Sequence, residues 1–438
     1  MKLLIKGGRV VDPASGTDAI LDVLIEDGWI SAVGGVVDTG VDRTIDASGL
    51  VVAPGFIDMH VHLREPGYEN KETILTGARA AARGGFTTIC CMPNTNPVND
   101  GPEVTRFILS KAREAGLVNV HPIAAVTLGL RGVEASDMAG LVSAGAVAFS
   151  DDGQPVADPG IMRRALLGSD SLRTLIIDHC EDKNISRDGC MHEGPASRRL
   201  GLKGIPDEAE EIMVVRDVRL ARETGARVHI AHLSVRGAVI AVEAAKSEGV
   251  RVSAEATPHH LLLTDACIET RDADFKMNPP LRSEEDRAAL ISAIQSGVID
   301  VLATDHAPHT ESDKAVSFDK APFGVIGLET AVPVLMDRLV GRKVISLERF
   351  IELSSTNPAK ILGFLSKGRI APGADADFTI LTPLLETVVD KSRFESKGRN
   401  TPFQGWKVRG GVAMTIVAGR VVYPFDWEFR PIPTPGVS

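Results

Sequence analysis

No apolar run in these 438 residues reaches the ~20 that a bilayer demands, which excludes a membrane-spanning helix. Basic stretches are absent as well. With a formal net charge of −10 and a pI near 5.6, a nucleic-acid-binding face is not expected. Cysteine is scarce: Cys90, Cys91, Cys180, Cys190 and Cys267 are odd in number and show no zinc-ribbon or disulfide spacing. Reduced thiols in a cytoplasmic protein are the expectation, with Cys90 and Cys91 as packing residues in an apolar run. The opening "MKLLIKGGRVVDP" breaks into glycine and charge too early for a secretory leader. No segment repeats at a fixed period, which sets aside a solenoid.

What the chain does have is apolar residues, 44% of it, enough for a large core. One domain per roughly 150 residues suggests about three domains, but a single α/β barrel takes roughly 250 residues. Residues 1–53 read as short strands broken by Gly and Asp, and so does the chain beyond 365, in "ADFTILTP" and "VAMTIVAGRVVY". The two ends are expected to form one small composite β-sandwich domain, 1–53 with 365–438.

Between them, over 54–364, strand and helix alternate. Eight apolar segments read as strands: "GFIDMHVH", "FTTICCMPN", "VNVHPIAAV", "AVAFSDD", "TLIIDHC", "RVHIAHL", "RVSAEAT" and "IDVLATDH". Helices are expected over Glu72 to Arg83 before Gly84-Gly85, over Glu208 to Thr224 before Gly225, and over Glu284 to Ser296 with Ser283 as N-cap. Eight βα units in series predict an α/β fold, a TIM-like (β/α)8 barrel, with its chemistry where the strands end.

Those strand ends are polar. They carry His60 and His62, Asp151-Asp152, His179, His232, and Asp305-His306. Side chains alternate along a strand. Ile57, Met59 and Val61 should therefore face the helices while His60 and His62 face the barrel axis. Val147 and Phe149 should face outward, leaving Asp152 inward and Asp151 not. His232 shares parity with Val228 and Ile230, and Asp305 with Val301 and Ala303. A lone strand-end histidine is usually a satisfied core or surface residue. Four histidines and two aspartates on one mouth are another matter, because burying them without a cation is costly. Nitrogen and carboxylate ligands suit Zn²⁺. Six ligands are too many for one tetrahedral ion with an open position, whereas a shared carboxylate suits two metals bridged by hydroxide.

The motifs "DMHVHLREPG", "MPNTNP" (92–97), "AFSDDG" (148–153), "EGPASRRLGLKGIP" (193–206), "HIAHLS" (229–234), "EATPHHLLLT" (255–264), "KMNPPLR" (276–282) and "ATDHAPHT" (303–310) span the chain. In them the chain resembles the amidohydrolase superfamily and, within it, the type I dihydroorotases. The resemblance implies that His60, His62 and Asp305 bind one Zn²⁺ and His179 and His232 a second, two per subunit, bridged by Asp152 and hydroxide. Hydantoinases and many other relatives place a carboxylated lysine on strand four, and "AVAFSDDG" has no lysine. Arg64, Asn94 and His309 are implied to hold a substrate carboxylate, with His62, Asn278 and the backbone at Phe323 and Gly324 as further substrate contacts. The implied reaction is the reversible cyclisation of N-carbamoyl-L-aspartate to L-dihydroorotate, a step of pyrimidine synthesis. Metal-bound hydroxide is the nucleophile and Asp305 the catalytic proton shuttle. A hydantoinase or allantoinase is the alternative. A homodimer, and an aspartate carbamoyltransferase partner, are implied on the same ground. Where the family usually has Asn before Glu193, this chain has His192.

The remaining polar residues have plainer readings. His121 and His229 are expected to be structural, and His306 to face away from the metals. His259 and His260 read equally as supports of the metal histidines or as core residues, and Asp58 as a buried carboxylate beside the site or half of a salt bridge. The polar segment 310–322, "TESDKAVSFDKAP", reads either as a solvated loop or as a mobile cover over the site.

Overall fold

The protein is represented by a computed structural model describing residues 1–35 and 40–424. The end of the expected β domain, 425–438, lies outside the described residues. The eight expected barrel strands are β1 (Phe56–Val61), β2 (Phe86–Cys91), β3 (Asn119–Ala124), β4 (Ala148–Phe149), β5 (Ile176–Asp178), β6 (Val228–Ile230), β7 (Val252–Ala256) and β8 (Val301–Leu302). They pair in parallel and in sequence order. The two ends of the series meet where the His62 N–H donates to the His306 carbonyl at 2.8 Å. With helices between the strands this is the TIM-like barrel.

The first helix starts later than expected, at Ile74, because Thr73 caps it by accepting from the Thr76 N–H. It closes at Gly85, whose φ of 91° suits glycine. The helices Glu208–Thr224 and Glu284–Ser296 have the expected bounds, and Ser283 caps the latter. No described helix is long and apolar enough to cross a membrane, and all five cysteines are unpaired.

Both termini contribute to one further eight-stranded sheet. Its order is Arg420–Tyr423, Lys407–Val417, Phe378–Val388, Val51–Pro54, Lys2–Asp12, Thr17–Glu26, Trp29–Gly34, with Arg43–Asp46 also on Lys2–Asp12. The sheet has its own apolar cluster, including Ile5, Val23, Phe378 and Met414. Thr379 ties it to the barrel, accepting from the Phe56 N–H at 3.0 Å and donating to the Gly85 carbonyl at 2.7 Å.

Two apolar layers line the barrel wall. The outer one, under the helices, includes Val61, Phe149, Val228, Ile230, Ala254 and Ala256. Met59, Cys90, Ile123, Ala148, Ile177, Ala231 and Ala303 form a second cluster. Residues from so many strands can meet only on the axis. β7 adds nothing apolar there, because its axis-facing residues are Ser253 and Glu255.

Strict alternation fails at three places. Met59, expected under the helices, is in the axis cluster. The pairing of β1 with β2 shifts between Asp58 and Val61. The extra residue of such a bulge puts neighbours on one face, so Met59 and His60 both point inward. Val147, also expected outward, packs against the axis cluster. On β6 it is His229 and Ala231 that face the axis, while Val228 and Ile230 face outward. His232 reaches the axis only because its φ is +31°. Asp305 (φ +49°) and Arg64 (φ +63°) are also left-handed, a conformation that costs a non-glycine residue about 1–2 kcal/mol and gathers at functional sites.

Candidate metal centre

The six expected ligand residues converge at the C-terminal mouth of the barrel, and all are buried. His60 Nε2 lies 3.4 Å from Asp152 Oδ1 and 3.5 Å from Asp305 Oδ1. His62 Nε2 lies 3.2 Å from Asp305 Oδ1 and 3.4 Å from Asp152 Oδ2. Asp152 Oδ1 is also 3.5 Å from His179 Nδ1 and 3.6 Å from His232 Nε2. Asp152 thus faces all four histidines.

Most of these separations are long for hydrogen bonds, whose donor–acceptor distances are about 2.7–3.2 Å. They match instead the edge of a coordination tetrahedron: with Zn–N near 2.0–2.1 Å, two ligand atoms stand about 3.3 Å apart. Among the described residues, His60 Nε2 and Asp152 Oδ1 are buried without a hydrogen-bond partner. Burial resists a charge on His60, yet Glu255, Asp152 and Asp305 raise its pKa well above the ordinary histidine value. Unpaired donor atoms in a field that attracts positive charge are what a divalent cation fits. The groups His60–His62–Asp305 and His60–Asp152–His232 could each hold an ion.

The histidines are aimed by residues the motif reading did not single out. Glu255 Oε1 is 2.7 Å from His60 Nδ1 and accepts from the His232 backbone N–H at 3.2 Å, while its Oε2 is 3.1 Å from His229 Nε2. His229, expected to be merely structural, therefore braces the carboxylate behind His60. Glu181 Oε2 lies 3.0 Å from His179 Nε2 and accepts from Lys183 Nζ at 2.5 Å and Asn278 Nδ2 at 2.8 Å. Such partners fix the ring orientation and basicity of metal histidines. The sequence did carry a signal for both: each is a single glutamate at the end of an apolar strand segment.

Among the described residues Asp58 forms no salt bridge. It accepts from Thr304 Oγ1 at 2.5 Å, Thr304 N at 3.2 Å and His60 N at 3.0 Å, holding β1 to the end of β8, and burial pushes its pKa up to about 7. His306 turns away from the centre to Glu72, 3.3 Å from its Nε2. Asp151 caps the end of β3, accepting from the Val126 and Thr127 N–H groups. His121 packs on Phe364. His260 is bonded to Thr257 and the Pro279 carbonyl, and His259 Nε2 is buried without a partner.

A cavity of about 280 Å³ opens onto the centre and is lined by Arg64, Asn94, Asn278, His309, Phe323 and Gly324, together with His62 and Asp305. Asn94 Oδ1 faces His62 Nδ1 at 2.9 Å, so Asn94 also aims one of the converging histidines. Arg64 is partly buried, and its Nε donates to the Pro308 carbonyl at 3.2 Å. Burial lowers its pKa, and among the described residues no carboxylate pairs with it. The backbone at 323–324 is already engaged: His309 Nε2 is 2.8 Å from the Phe323 carbonyl, and Gly324 N–H donates to Lys276 O at 3.0 Å. Gly324 has φ +132°, and a Cβ there would meet Ala307 at 2.8 Å. Gly67 likewise (φ +97°) lets "REPG" lie on Asn96, whose carbonyl would sit 2.0 Å from a Cβ.

The segment 310–322 has an exposed face, including Glu311, Ser312 and 315–317, but is anchored at two points. Phe318 is fully buried. Lys314 Nζ donates to the carbonyls of Ala273 (2.9 Å), Lys276 (3.2 Å) and Pro322 (2.9 Å).

His192 lies outside the centre, bound to its scaffold. Its Nδ1 is 3.0 Å from Asp265 Oδ2 and its Nε2 3.3 Å from Asp207 Oδ1, and Asp207 also accepts from Arg282, which donates to Ser234 just past His232. Burial opposes its charge, but the two carboxylates prevail and raise its pKa to about 9. A pKa raised in the folded state stabilises fully below the unfolded value near 6.5, and that stability is lost as pH rises through about 9. The Tm deficit of His192→Gln against the parent protein is expected at about pH 6 and should fade by about pH 10. A deficit of equal size at both ends would rule the ion pairs out as its cause.

Comparison with known proteins bears on the family and the fold. Residues 49–238 match the family model described as dihydro-orotase-like. A dihydroorotase of Pelotomaculum thermopropionicum is 55% identical over 96% of this chain and 98% of its own length. One of Syntrophus aciditrophicus is 49% identical over 97% and 100%. Among solved structures, the L-hydantoinase (dihydropyrimidinase) of Arthrobacter aurescens superposes with a TM-score of 0.86 at 29% identity, covering 96% of this chain and 95% of that one.

Proposed function

Since this chain belongs to the dihydroorotase family, we propose that its metal centre interconverts N-carbamoyl-L-aspartate and L-dihydroorotate, a step of pyrimidine synthesis in the cytoplasm. The observation that carries this reading is Arg64, a partly buried guanidinium that pairs with no carboxylate among the described residues and lies on the wall of the cavity that opens onto the six converging side chains. A planar guanidinium binds a carboxylate bidentately. The substrate carries a ring carboxylate, which hydantoin and allantoin lack.

His60, His62 and Asp305 would hold one Zn²⁺, His179 and His232 a second, with Asp152 shared. When bound, these ions would supply Lewis acidity and lower the pKa of water toward about 7. The rest of the work falls to the protein. Arg64, with Asn94 and His309 beside it, fixes the ring so that its amide carbonyl faces the centre, an alignment worth much of a barrier. Asp305 lines the cavity with Oδ1 turned to His62 and His60. In hydrolysis its carboxylate takes the proton of the attacking water and gives it to the leaving ring nitrogen. In cyclisation it starts protonated and the proton runs the other way. A homodimer is part of the same proposal.

Purified protein assayed against dihydroorotate, hydantoin and allantoin, with metal analysis by mass spectrometry, tests the reading. Turnover of dihydroorotate alone is expected, and a preference for hydantoin would overturn it. Arg64→Ala should raise KM for dihydroorotate about 10- to 100-fold, the worth of a lost hydrogen bond to a charged group, with metal content near that of the parent. Loss of metal would make Arg64 a structural residue instead.

A further inference from the structure

Lys71 stands in the turn between β1 and the helix Ile74–Gly84, and neither the motifs nor the mechanism gives it a task. Its side chain is only 22% exposed. Its Nζ lies 3.3 Å from His309 Nδ1 and 3.3 Å from Asp313 Oδ2, and 5.8 Å from the Tyr68 ring centroid. An ammonium is a donor only, so the His309 Nδ1 that faces it must offer a lone pair. The other ring nitrogen gives the same answer. Nε2 is 2.8 Å from the Phe323 carbonyl, which is an acceptor only, so Nε2 carries the proton. Arg64 NH2, 3.4 Å from Nε2, is then a second donor beside it rather than its hydrogen-bond partner.

We propose that Lys71 is a positioning residue that holds His309 as its Nε2–H tautomer, so that His309 and Arg64 together present donors to the substrate carboxylate. The inference rests on the carboxylate-binding role given to Arg64 above. A carboxylate is a stronger acceptor than the Phe323 carbonyl and competes for the same N–H. Asp313 is the group that makes Lys71 necessary. Its Oδ2 lies 3.7 Å from His309 Nδ1, held there as the residue that accepts from the Thr310 N–H. With the ammonium gone, Asp313 is the charged neighbour left at Nδ1. An acceptor there draws the proton onto Nδ1 and turns the Nε2 lone pair toward the carboxylate, where it repels. Burial, with Arg64, Lys71 and Lys314 nearby, holds the pKa of His309 well below the ordinary value. The ring is therefore neutral in the parent protein, where its tautomer is what Lys71 and the Phe323 carbonyl set.

The test uses the full-length metal-loaded enzyme as parent, Lys71→Met, Lys71→Arg and Arg64→Ala. Steady-state kinetics on dihydroorotate are combined with ¹⁵N shifts of the histidine ring nitrogens, His309 being assigned from His309→Gln. Lys71→Met is expected to raise KM at least tenfold, with a smaller loss in kcat, and to move Nδ1 of His309 from the acceptor to the protonated position. Lys71→Arg should restore the acceptor shift and most of KM. The proposal is overturned if Lys71→Met leaves KM within twofold, or raises it with the Nε2–H tautomer intact, which is what a merely structural lysine would do. It is also overturned if the parent itself shows a protonated Nδ1, a result that needs no variant to fold. Should Arg64→Ala raise KM while Lys71→Met does not, only the role of Lys71 fails. Should neither raise it, the carboxylate reading fails and takes this one with it.

Discussion

Asp305→Asn is expected to lose about ten-thousand-fold in kcat in both directions, the upper range for removing a general acid–base. The asparagine keeps the size of the side chain and an oxygen near His60 and His62, which lie 3.5 and 3.2 Å from Asp305 Oδ1. It cannot accept and release a proton. Metal content should fall less than activity, because His60, His62 and Asp152 remain. The parent enzyme should show the complementary signature. Hydrolysis needs Asp305 ionised, so its rate rises with pH through the relevant pKa. Cyclisation needs it protonated, so that rate falls over the same range. Parallel limbs in the two directions, or an Asp305→Asn enzyme within tenfold of the parent, would sink the shuttle.

Glu255→Ala should be the most damaging change outside the ligand set. The carboxylate is fully buried between His60, His229 and the backbone of His232. Deleting it strands two imidazoles without their acceptor, and breaking one partner of a buried charged pair costs about 3–5 kcal/mol. Metal affinity should drop about 10- to 100-fold as well, since the partner that orients and polarises a ligand histidine is lost. Glu255→Gln separates the two effects. It keeps the volume and an acceptor for His60, so Tm should fall much less, yet without the negative charge His60 becomes a poorer ligand. Calorimetry with and without chelator, together with metal titration, reads both quantities. Parent-like metal binding in Glu255→Gln would reduce Glu255 to a packing residue.

Much of the architecture was legible in the chain itself. Eight apolar segments, each closed by turn residues, predicted the barrel because local hydrophobic pattern and helix caps are short-range properties. Their strands are shorter in the structure, and the loss falls mostly at the C-terminal ends. There the backbone leaves the ladder to aim side chains, as at His232 and Asp305. The candidate ligand residues were visible because histidine and aspartate at the ends of apolar strands are out of place without a cation. Parity was a weaker guide, since a bulge in β1 and the left-handed backbone of His232 both break the alternation it assumes.

Residue type and spacing by themselves predicted the fold class and the six side chains that converge at the barrel mouth, while the arginine for a carboxylate came from the resemblance to a family. Only the tertiary structure decided what holds them. Glu255 stands 195 positions from His60, and Lys71 is 238 from His309. Such pairs leave no periodic trace, because they are set by how β7 and the turn after β1 pack, and not by any preference of the chain nearby. The same packing turned His229 from a core histidine into a brace and pinned 310–322 to the barrel through Phe318 and Lys314. Apolar pattern is written locally, whereas the charge partner that aims a buried histidine is chosen by whatever the fold brings within about 3 Å of it.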